Sequence, residues 1–406
     1  MTRLDDAPIG LARGARGEGA GFWLVAIAFL LVMAYSTVPT PLYPLYQQLD
    51  GFPVAVVTVI FAAYAVGVVA SLFLLGHVSD WAGRRRMLVI AILVSALSAA
   101  LFLFFTDVAG LITARFVNGV SIGILTATAT AHLGELRSRA RPDENTIVAA
   151  SVSGAANLGG LALGPLIGGL FAQFLPEPLH LPHAVFLIVL LVLAIAVTLV
   201  PETVVATRRR YRPQRVSAPP RSRATFVAAG FGAFAGFAVF GLFTSLAPTI
   251  LGVTFGERGH LLAGALVCTV FGSAAVAQIV LGRLGRATQL GLAAVCCAVG
   301  LVAIAVGAVL VALPLFIAGA VVAGVGVGVL FKSAIATAAD LAEPGRRGET
   351  LALMFLIAYC GLALPVLVIG VALAFVPQTT VLLVFTALVA VATVTAAVTM
   401  RRRAQH

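Results

Sequence analysis

Long apolar stretches alternate with short polar gaps along the whole chain. Twelve such stretches cover residues 22–46, 53–75, 87–105, 108–133, 146–172, 183–200, 225–250, 259–281, 289–309, 313–336, 350–375 and 378–400. A helix of about 20 apolar residues crosses the hydrocarbon core of a bilayer. The pattern therefore predicts an all-α polytopic membrane protein with twelve transmembrane helices.

Basic residues are confined almost entirely to alternate gaps and to the two ends of the chain. Of the 26 lysines and arginines, 23 lie in the first tail, the even-numbered gaps and the last tail, and only Arg258 lies in an odd-numbered gap. Positive charge marks the cytoplasmic side of a membrane protein. Both termini are therefore predicted to be cytoplasmic, in a protein of the cell membrane (plasma or inner membrane).

The two halves of the chain resemble each other. Residues 36–40 (STVPT) pair with 245–249 (SLAPT), and 119–125 (GVSIGIL) pair with 324–330 (GVGVGVL). Each half has six spans, so both keep the same orientation, as in a parallel repeat about a pseudo-twofold axis. The binding site is then expected near the midplane, between the halves.

These patterns divide the chain into two bundles and three cytoplasmic segments. The expected domains are a tail over 1–21, a six-helix bundle over 22–200, a linker over 201–224, a second six-helix bundle over 225–400 and a tail over 401–406. The linker carries many arginines and two adjacent prolines, which is typical of a tether without a fold of its own.

Composition excludes several classes of function. The hydrophobic fraction is 61% and the charged fraction only 10%, far below the ~25% of soluble proteins. The net charge of +11 is accounted for by helix anchors beside an anionic leaflet, so the expected partner is the lipid bilayer and not nucleic acid. The single lysine, Lys332, follows Phe331 where a phosphate-binding loop requires glycine, so no ATP site is expected. We expect a monomer without metal, cofactor or enzyme activity.

The gap between the second and third spans reads Gly76-His-Val-Ser-Asp80-Trp-Ala-Gly83-Arg84-Arg85. It resembles the signature Gly-x-x-x-Asp-x-x-Gly-Arg-[Arg/Lys] of the major facilitator superfamily of transporters, which lies between the same two helices. The resemblance implies two six-helix bundles that rock about a central site. It also implies a cytoplasmic gate in which Asp80 and Arg84 hold the halves together, because a carboxylate can accept hydrogen bonds from a neighbouring helix N-terminus.

The corresponding gap of the second half is residues 282–286 (GRLGR), which contain no acidic residue. The repeat predicts a second gate at this place. Either this second gate has been lost, or another group forms it, and the sequence leaves both alternatives open.

The fifth span carries a run of small residues around a proline: Gly160, Gly164, Pro165, Gly168 and Gly169. Glycines four residues apart let membrane helices approach closely, and proline bends a helix. The run resembles the antiporter motif of drug-exporting branches of the superfamily, except that Ser151 replaces a further glycine nine residues before Gly160. This resemblance favours export over import.

Two basic residues lie inside apolar runs, Arg115 in the fourth and Lys332 in the tenth. An arginine at midspan costs about 2.5–3.5 kcal/mol, so its side chain either faces the bundle or snorkels to the interface. For Arg115 the resemblance favours the bundle, because Arg115-Phe-Val-Asn118-Gly119 is similar to a fourth-helix pattern of the family that is tied to proton or substrate coupling. For Lys332, an anion-binding amine and snorkelling remain alternatives.

Five further polar residues in the runs are candidates for the substrate path: Tyr35, Tyr64, Asn157, Gln278 and Tyr359. For each of them, a bond to a neighbouring helix is the alternative. The resemblance implies a cavity lined by the first, second, fourth, fifth, seventh, eighth, tenth and eleventh helices.

Embedded acids are missing from the predicted spans. No Asp, Glu or His is expected at midspan, and His183 is expected at the outer side. With Arg115 and Lys332 as the only embedded charges, the substrate is predicted to be neutral or anionic. Because a proton needs a titratable site, proton coupling would depend on Asp80, Lys332 or the substrate.

The sequence thus predicts a secondary transporter that exports a small amphiphilic drug or metabolite by alternating access, with proton antiport. The first alternative is a nutrient importer of the same fold, for a sugar or an organic acid. The second is a membrane sensor or scaffold that transports nothing. It is disfavoured because the longest predicted cytoplasmic stretch is the linker of residues 201–224.

Overall fold

The computed structural model describes residues 9–142, 144, 147–207, 211, 213, 218–219, 223–343 and 346–404, without the side chains of 9–16 and 404. Most of the first predicted tail and more than a third of the predicted linker lie outside the described residues or side chains. The proposed domain division therefore stays a prediction.

Within the described residues there are fourteen α-helices and no strand. They are α1 (Ile9–Thr37), α2 (Tyr43–Asp50), α3 (Val54–Leu75), α4 (Ser79–Ala82), α5 (Arg84–Phe104), α6 (Val108–Ala140), α7 (Ile147–Phe174), α8 (Leu181–Val197), α9 (Arg223–Phe255), α10 (His260–Val280), α11 (Arg286–Val309), α12 (Leu313–Leu341), α13 (Arg347–Ala372) and α14 (Gln378–Ala404).

Each of the twelve predicted runs contains an apolar helix, which agrees with the predicted fold class. Eleven helices of the described chain are long and apolar enough to cross a membrane, and α8 is a shorter apolar helix of 17 residues. The first run is broken after Thr37 by a 3₁₀ turn at Thr40–Leu42, which contains Pro41 and is preceded by Pro39. Prolines lack the backbone N–H that would continue the helix, so α1 and α2 are separate helices.

The two halves use equivalent helix pairs. In the first half α6 packs on α3 and α5, and in the second half α12 packs on α10 and α11. A Cβ atom on Gly119 of α6 would collide with the Tyr64 carbonyl of α3, and one on Gly324 of α12 would be only 2.5 Å from the Val270 carbonyl of α10. The glycines that revealed the repeat in the sequence are therefore sites of close helix contact.

The two ends of the bundle carry different charges. We call the end with Arg84, Arg137 and Arg286 the arginine end, and the end with Glu177 and Glu257 the opposite end. The halves meet along two seams, where α7 packs on α10 and α3 packs on α13. These seams frame the central cavity.

Candidate functional site

A cavity of about 180 Å³ lies between the two halves. It is lined by α1, α3, α6 and α7 of the first half and by α9, α10, α12 and α13 of the second. These are the eight helices that the family resemblance implied. Of the residues predicted for the substrate path, Tyr64, Asn157, Gln278 and Tyr359 contribute to its wall.

The cavity is reached from the arginine end. Ser36 and Phe61, in the part of the wall nearer the opposite end, are only 1% and 2% exposed. On the arginine side of the wall, Thr130 is exposed and Phe355 is half-buried. Thr126, Thr130 and Ser153 were not singled out in the sequence, because isolated Ser and Thr in apolar helices carry no distinguishing signal.

Contacts between the halves close the opposite end. The His260 ring Nδ1 lies 3.1 Å from the Pro41 carbonyl oxygen, and the Leu261 backbone N–H donates to Gln173 Oε1 at 3.0 Å. Each of these bonds joins one half to the other. A further side-chain hydrogen bond between the halves joins Tyr64 and Tyr359 in the cavity wall.

The glycine motif of α7 builds this closure. Cβ atoms on Gly160, Gly164 and Gly168 would collide with backbone atoms or side chains of α1 and the turn that follows it. The next residue, Gly169, faces the second half, and a Cβ there would be 2.6 Å from the His260 carbonyl oxygen. Pro165 in turn contacts Gly264 of α10 through its carbonyl. The motif thus holds α7 against α1 on one side and against α10 on the other.

Arg115 faces the bundle, as predicted, but does not line the cavity. It is 1% exposed; its Nε donates to the Tyr43 hydroxyl and its Nη1 to the Ser36 carbonyl, each at 2.6 Å. It therefore braces α6 against α1 and α2 from behind the cavity wall. Its Nη2 and the side-chain amide of Asn118 are buried and have no hydrogen-bond partner among the described residues.

Tyr35 also lies outside the cavity wall, in a buried polar cluster. Its hydroxyl is 3.1 Å from His183 Nδ1, and the Tyr46 hydroxyl is 3.1 Å from His183 Nε2. Phe102 stacks on the same imidazole, with ring centroids 4.8 Å apart. His183 lies in the first turn of α8, a few residues after Glu177 of the opposite end, but it is fully buried and does not face the outer surface. Its partners come from three other helices, so no local pattern could reveal them.

Lys332 bonds the C-terminal end of a neighbouring helix and does not line the cavity. Its Nζ donates to the Gln278 carbonyl oxygen at 2.6 Å, close to the C-terminus of α10. A cation at a helix C-terminus is stabilised by the free carbonyls and by the helix dipole. The Gln278 amide Nε2 donates to the Gly328 carbonyl of α12 at 3.0 Å. Neither embedded cation therefore faces the cavity in this structure.

The gate motif forms a charge cluster within the first half. The Arg84 guanidinium bonds Asp80 Oδ1 at 2.5 Å and Glu135 Oε1 at 2.9 Å. The Glu202 carboxylate accepts the backbone N–H groups of Arg84 and Arg85 at 2.8 and 3.1 Å, which caps the N-terminus of α5. In this conformation the described bonds of Asp80 stay in its own half, so the predicted latch across the halves is not formed here.

Glycine is required at the corner of this motif. Gly83 has a φ of 107° and a Cβ there would lie 2.7 Å from Glu202 Oε2. Only glycine adopts this conformation readily, and only hydrogen fits beside the carboxylate. Gly76 and Gly83 flank the short helix α4, which carries Asp80.

The second half has an equivalent ion pair. Arg286 begins α11 as Arg84 begins α5, and its Nη1 lies 2.6 Å from Asp340 Oδ2 on α12. Asp340 is 205 residues after Glu135, which is the offset between Gly119 and Gly324. Asp340 therefore corresponds to Glu135, and residues 282–286 contain no counterpart of Asp80.

We predict that Asp80→Asn leaves stability nearly unchanged and lowers transport strongly. The Asp80 side chain is 60% exposed, and exposed ion pairs contribute about 0–1 kcal/mol. Asp80 is expected to act as a gate residue in the other conformation, in which the cavity is closed at the arginine end. The measurement compares the melting temperature of purified protein with the initial transport rate. Wild-type transport by the variant would contradict a gating role for Asp80.

Two bundles of membrane-spanning helices around a cavity that is open at one end define a membrane transporter. The chain matches the family model described as Major Facilitator Superfamily over residues 24–364. The chain therefore belongs to the Major Facilitator Superfamily, and it is a transporter rather than an enzyme.

Comparison with known proteins gives one curated relative by sequence and many by structure. A triacylglyceride transporter of Mycobacteroides abscessus is 34% identical over 112 residues, which are 28% of this chain and 21% of that protein. The match thus spans about one fifth of the length of that relative. Its activity as a whole protein is therefore not transferred to this chain.

Three solved structures share the fold at low identity. The nucleoside transporter NupG superposes with a TM-score of 0.71 at 14% identity, over 94% of this chain and 99% of that one. The human organic anion transporter MFSD10 gives 0.67 at 17% identity, over 93% and 99%. A bacterial homologue of the human lysosomal transporter Spinster, inward-facing and unoccupied, gives 0.68 at 14% identity, over 96% and 97%.

Proposed function

We propose that this transporter exports a small amphiphilic compound, a drug or a metabolite, across the cell membrane by alternating access. The arginine end is proposed to face the cytoplasm, where positive charge concentrates in membrane proteins. The observation that carries the proposal is the central cavity, which both halves line and which is open at the arginine end and closed at the other. Rocking of the halves would close the loaded end and open the opposite one.

The proposed direction depends on the glycine motif of α7. Its resemblance to the motif of exporting branches supports export, and its contacts at the closed end with α1 and with Leu261 of α10 suit a hinge for this movement. No Asp, Glu or His is among the described residues of the cavity wall, so proton exchange would depend on Asp80, on Lys332 or on the substrate itself. One charge crossing 100 mV releases about 2.3 kcal/mol, and a tenfold concentration step needs about 1.4 kcal/mol. One proton per cycle is therefore sufficient to drive export against a tenfold concentration difference.

The relatives support an amphiphilic cargo in general terms. The partial match to a triacylglyceride transporter agrees with a wall rich in phenylalanine. The importer alternative, for a sugar or organic acid, shares the same fold and remains an outcome of the test below.

The test uses membrane vesicles of defined orientation that contain the protein. Everted vesicles with an acidic interior should accumulate a neutral amphiphilic probe such as Nile red, and an uncoupler should abolish the accumulation. Vesicles without the protein serve as the control. Accumulation only in right-side-out vesicles would identify an importer. Absence of flux across a wide panel of amphiphiles and nutrients, with binding of a protein partner, would identify a sensor or scaffold.

A further inference from the structure

The two halves contribute chemically different walls to the central cavity. The first half supplies mainly neutral hydrogen-bonding groups: Ser36, Thr37, Thr126, Thr130, Ser153 and Asn157. The second half supplies mainly aromatic rings: Phe237, Phe240, Phe271, Phe331, Phe355 and Tyr359. The exceptions are Phe61, Tyr64, Gly154, Leu158 and Leu161 on the first wall, and Thr244, Gln278 and Leu362 on the second. A bound compound therefore meets a polar surface on one side and an aromatic surface on the other.

The aromatic wall is a connected surface. Phe240 and Phe271 are stacked with centroids 4.4 Å apart and planes within 12°. Phe237 contacts Phe331 at 4.6 Å and Tyr359 at 5.7 Å. Rings arranged in this way offer faces and edges to a further ring, and such contacts add to the benefit of apolar burial.

The polar wall has unused hydrogen-bonding capacity. Ser153 and Thr130 bond each other at 3.0 Å, which leaves part of each hydroxyl's capacity free. The Asn157 amide lines the cavity without a hydrogen bond to any described group. An amide offers two donors and an acceptor, so Asn157 is the strongest neutral binding group of this wall.

Charge is absent from the described residues of the wall. Arg115 is bonded behind it, and Lys332 is bonded to the end of α10. A charged group that entered the cavity would lose its hydration without gaining a counter-charge, which is strongly unfavourable. This arrangement disfavours the anionic substrates that the sequence left open.

We propose that the cargo is a neutral, two-sided compound, in which a ring system packs on the second half and hydroxyl or carbonyl groups bond the first. This proposal rests on the proposed function because it assumes that the protein carries a cargo. It does not depend on the direction of transport. Asn157 and Phe240 are the specificity-determining residues, one for each side of the compound.

The test measures the binding of four matched probes to the purified full-length protein by isothermal titration. Phenyl β-D-glucoside carries both sides, methyl β-D-glucoside lacks the ring, anisole lacks the hydroxyls, and phenyl β-D-glucuronide adds a negative charge. We expect phenyl β-D-glucoside to bind about tenfold tighter than either one-sided probe, and at least about tenfold tighter than the glucuronide.

Two variants assign the sides of the compound. Phe240→Leu should weaken binding of phenyl β-D-glucoside and leave methyl β-D-glucoside unchanged, whereas Asn157→Leu should weaken both glucosides and leave anisole unchanged. Phe243→Leu is the matched control, because Phe243 is buried on the same helix and does not line the cavity.

Three results would overturn the proposal: equal or tighter binding of the glucuronide, equal binding of the phenyl and methyl glucosides, or binding of none of the four probes. None of these binding results determines the outcome of the vesicle transport experiment. Failure of the cargo class can therefore be distinguished from failure of the proposed export.

Discussion

Replacement of Gly169 by alanine should lower transport at least tenfold while the protein still inserts and folds. A Cβ at this position would be 2.6 Å from the His260 carbonyl oxygen and 3.0 Å from the Leu261 Cα. Both atoms belong to the backbone of a helix start in the other half and cannot rotate away. The halves must therefore separate at the opposite end, which disfavours the conformation with the cavity open at the arginine end. A tenfold shift in this equilibrium needs only about 1.4 kcal/mol.

The shift can be measured directly by distances between spin labels. Gln48 and Arg258 are exposed residues on the two sides of the closed end, and both line the same surface pocket. Labels on cysteines at these positions should move apart in the Gly169→Ala variant. Gly272→Ala is the matched control in α10, because its Cβ would have no neighbour nearer than 4.0 Å. Unchanged label distances together with full transport would show that this close approach is not needed.

Arg115→Ala should destabilise the protein strongly, and much more than Asp80→Asn does. It would remove a buried side chain and leave the Tyr43 hydroxyl without its 2.6 Å partner. A buried polar group left without its hydrogen-bond partner typically costs about 1–3 kcal/mol, and the cavity left by truncation adds to this loss. The expected observation is a large fall in the melting temperature of the purified protein.

Arg115→Met separates lost packing from lost charge. Methionine fills much of the same volume and needs no hydrogen-bond partner, so it should recover a large part of the melting temperature. Neither variant should change the affinity of a cavity probe at temperatures where it is folded, because Arg115 lies behind the wall. A stable Arg115→Ala variant that has lost probe affinity would instead place this residue on the substrate path.

The helices of this protein were predictable because each one must bury about 20 apolar residues in lipid. The family was predictable because Asp80, Gly83 and Arg84 stand at fixed spacing between two such helices. The structure explains this spacing, since the corner needs the positive φ of Gly83 and Arg84 must reach both Asp80 and Glu135.

The positions of the embedded polar side chains relative to the cavity were less predictable. Helices of this chain are apolar on all sides, so the sequence does not show which side faces the cavity. Arg115 and Tyr35 are therefore indistinguishable in sequence from Tyr64, although only Tyr64 reaches the cavity wall. The role of Glu202 could not be predicted, because its partners are backbone N–H groups more than a hundred residues away.

The placement of hydroxyls on one half and rings on the other has a stereochemical consequence. Once the rings of the second half fix the plane of a chiral compound, only one of its mirror-image forms directs its hydroxyls toward Asn157 and Ser153. The enantiomer points the same groups at hydrocarbon and loses those bonds. Handedness is thus selected by the pairing of two unlike halves, which neither half could achieve alone.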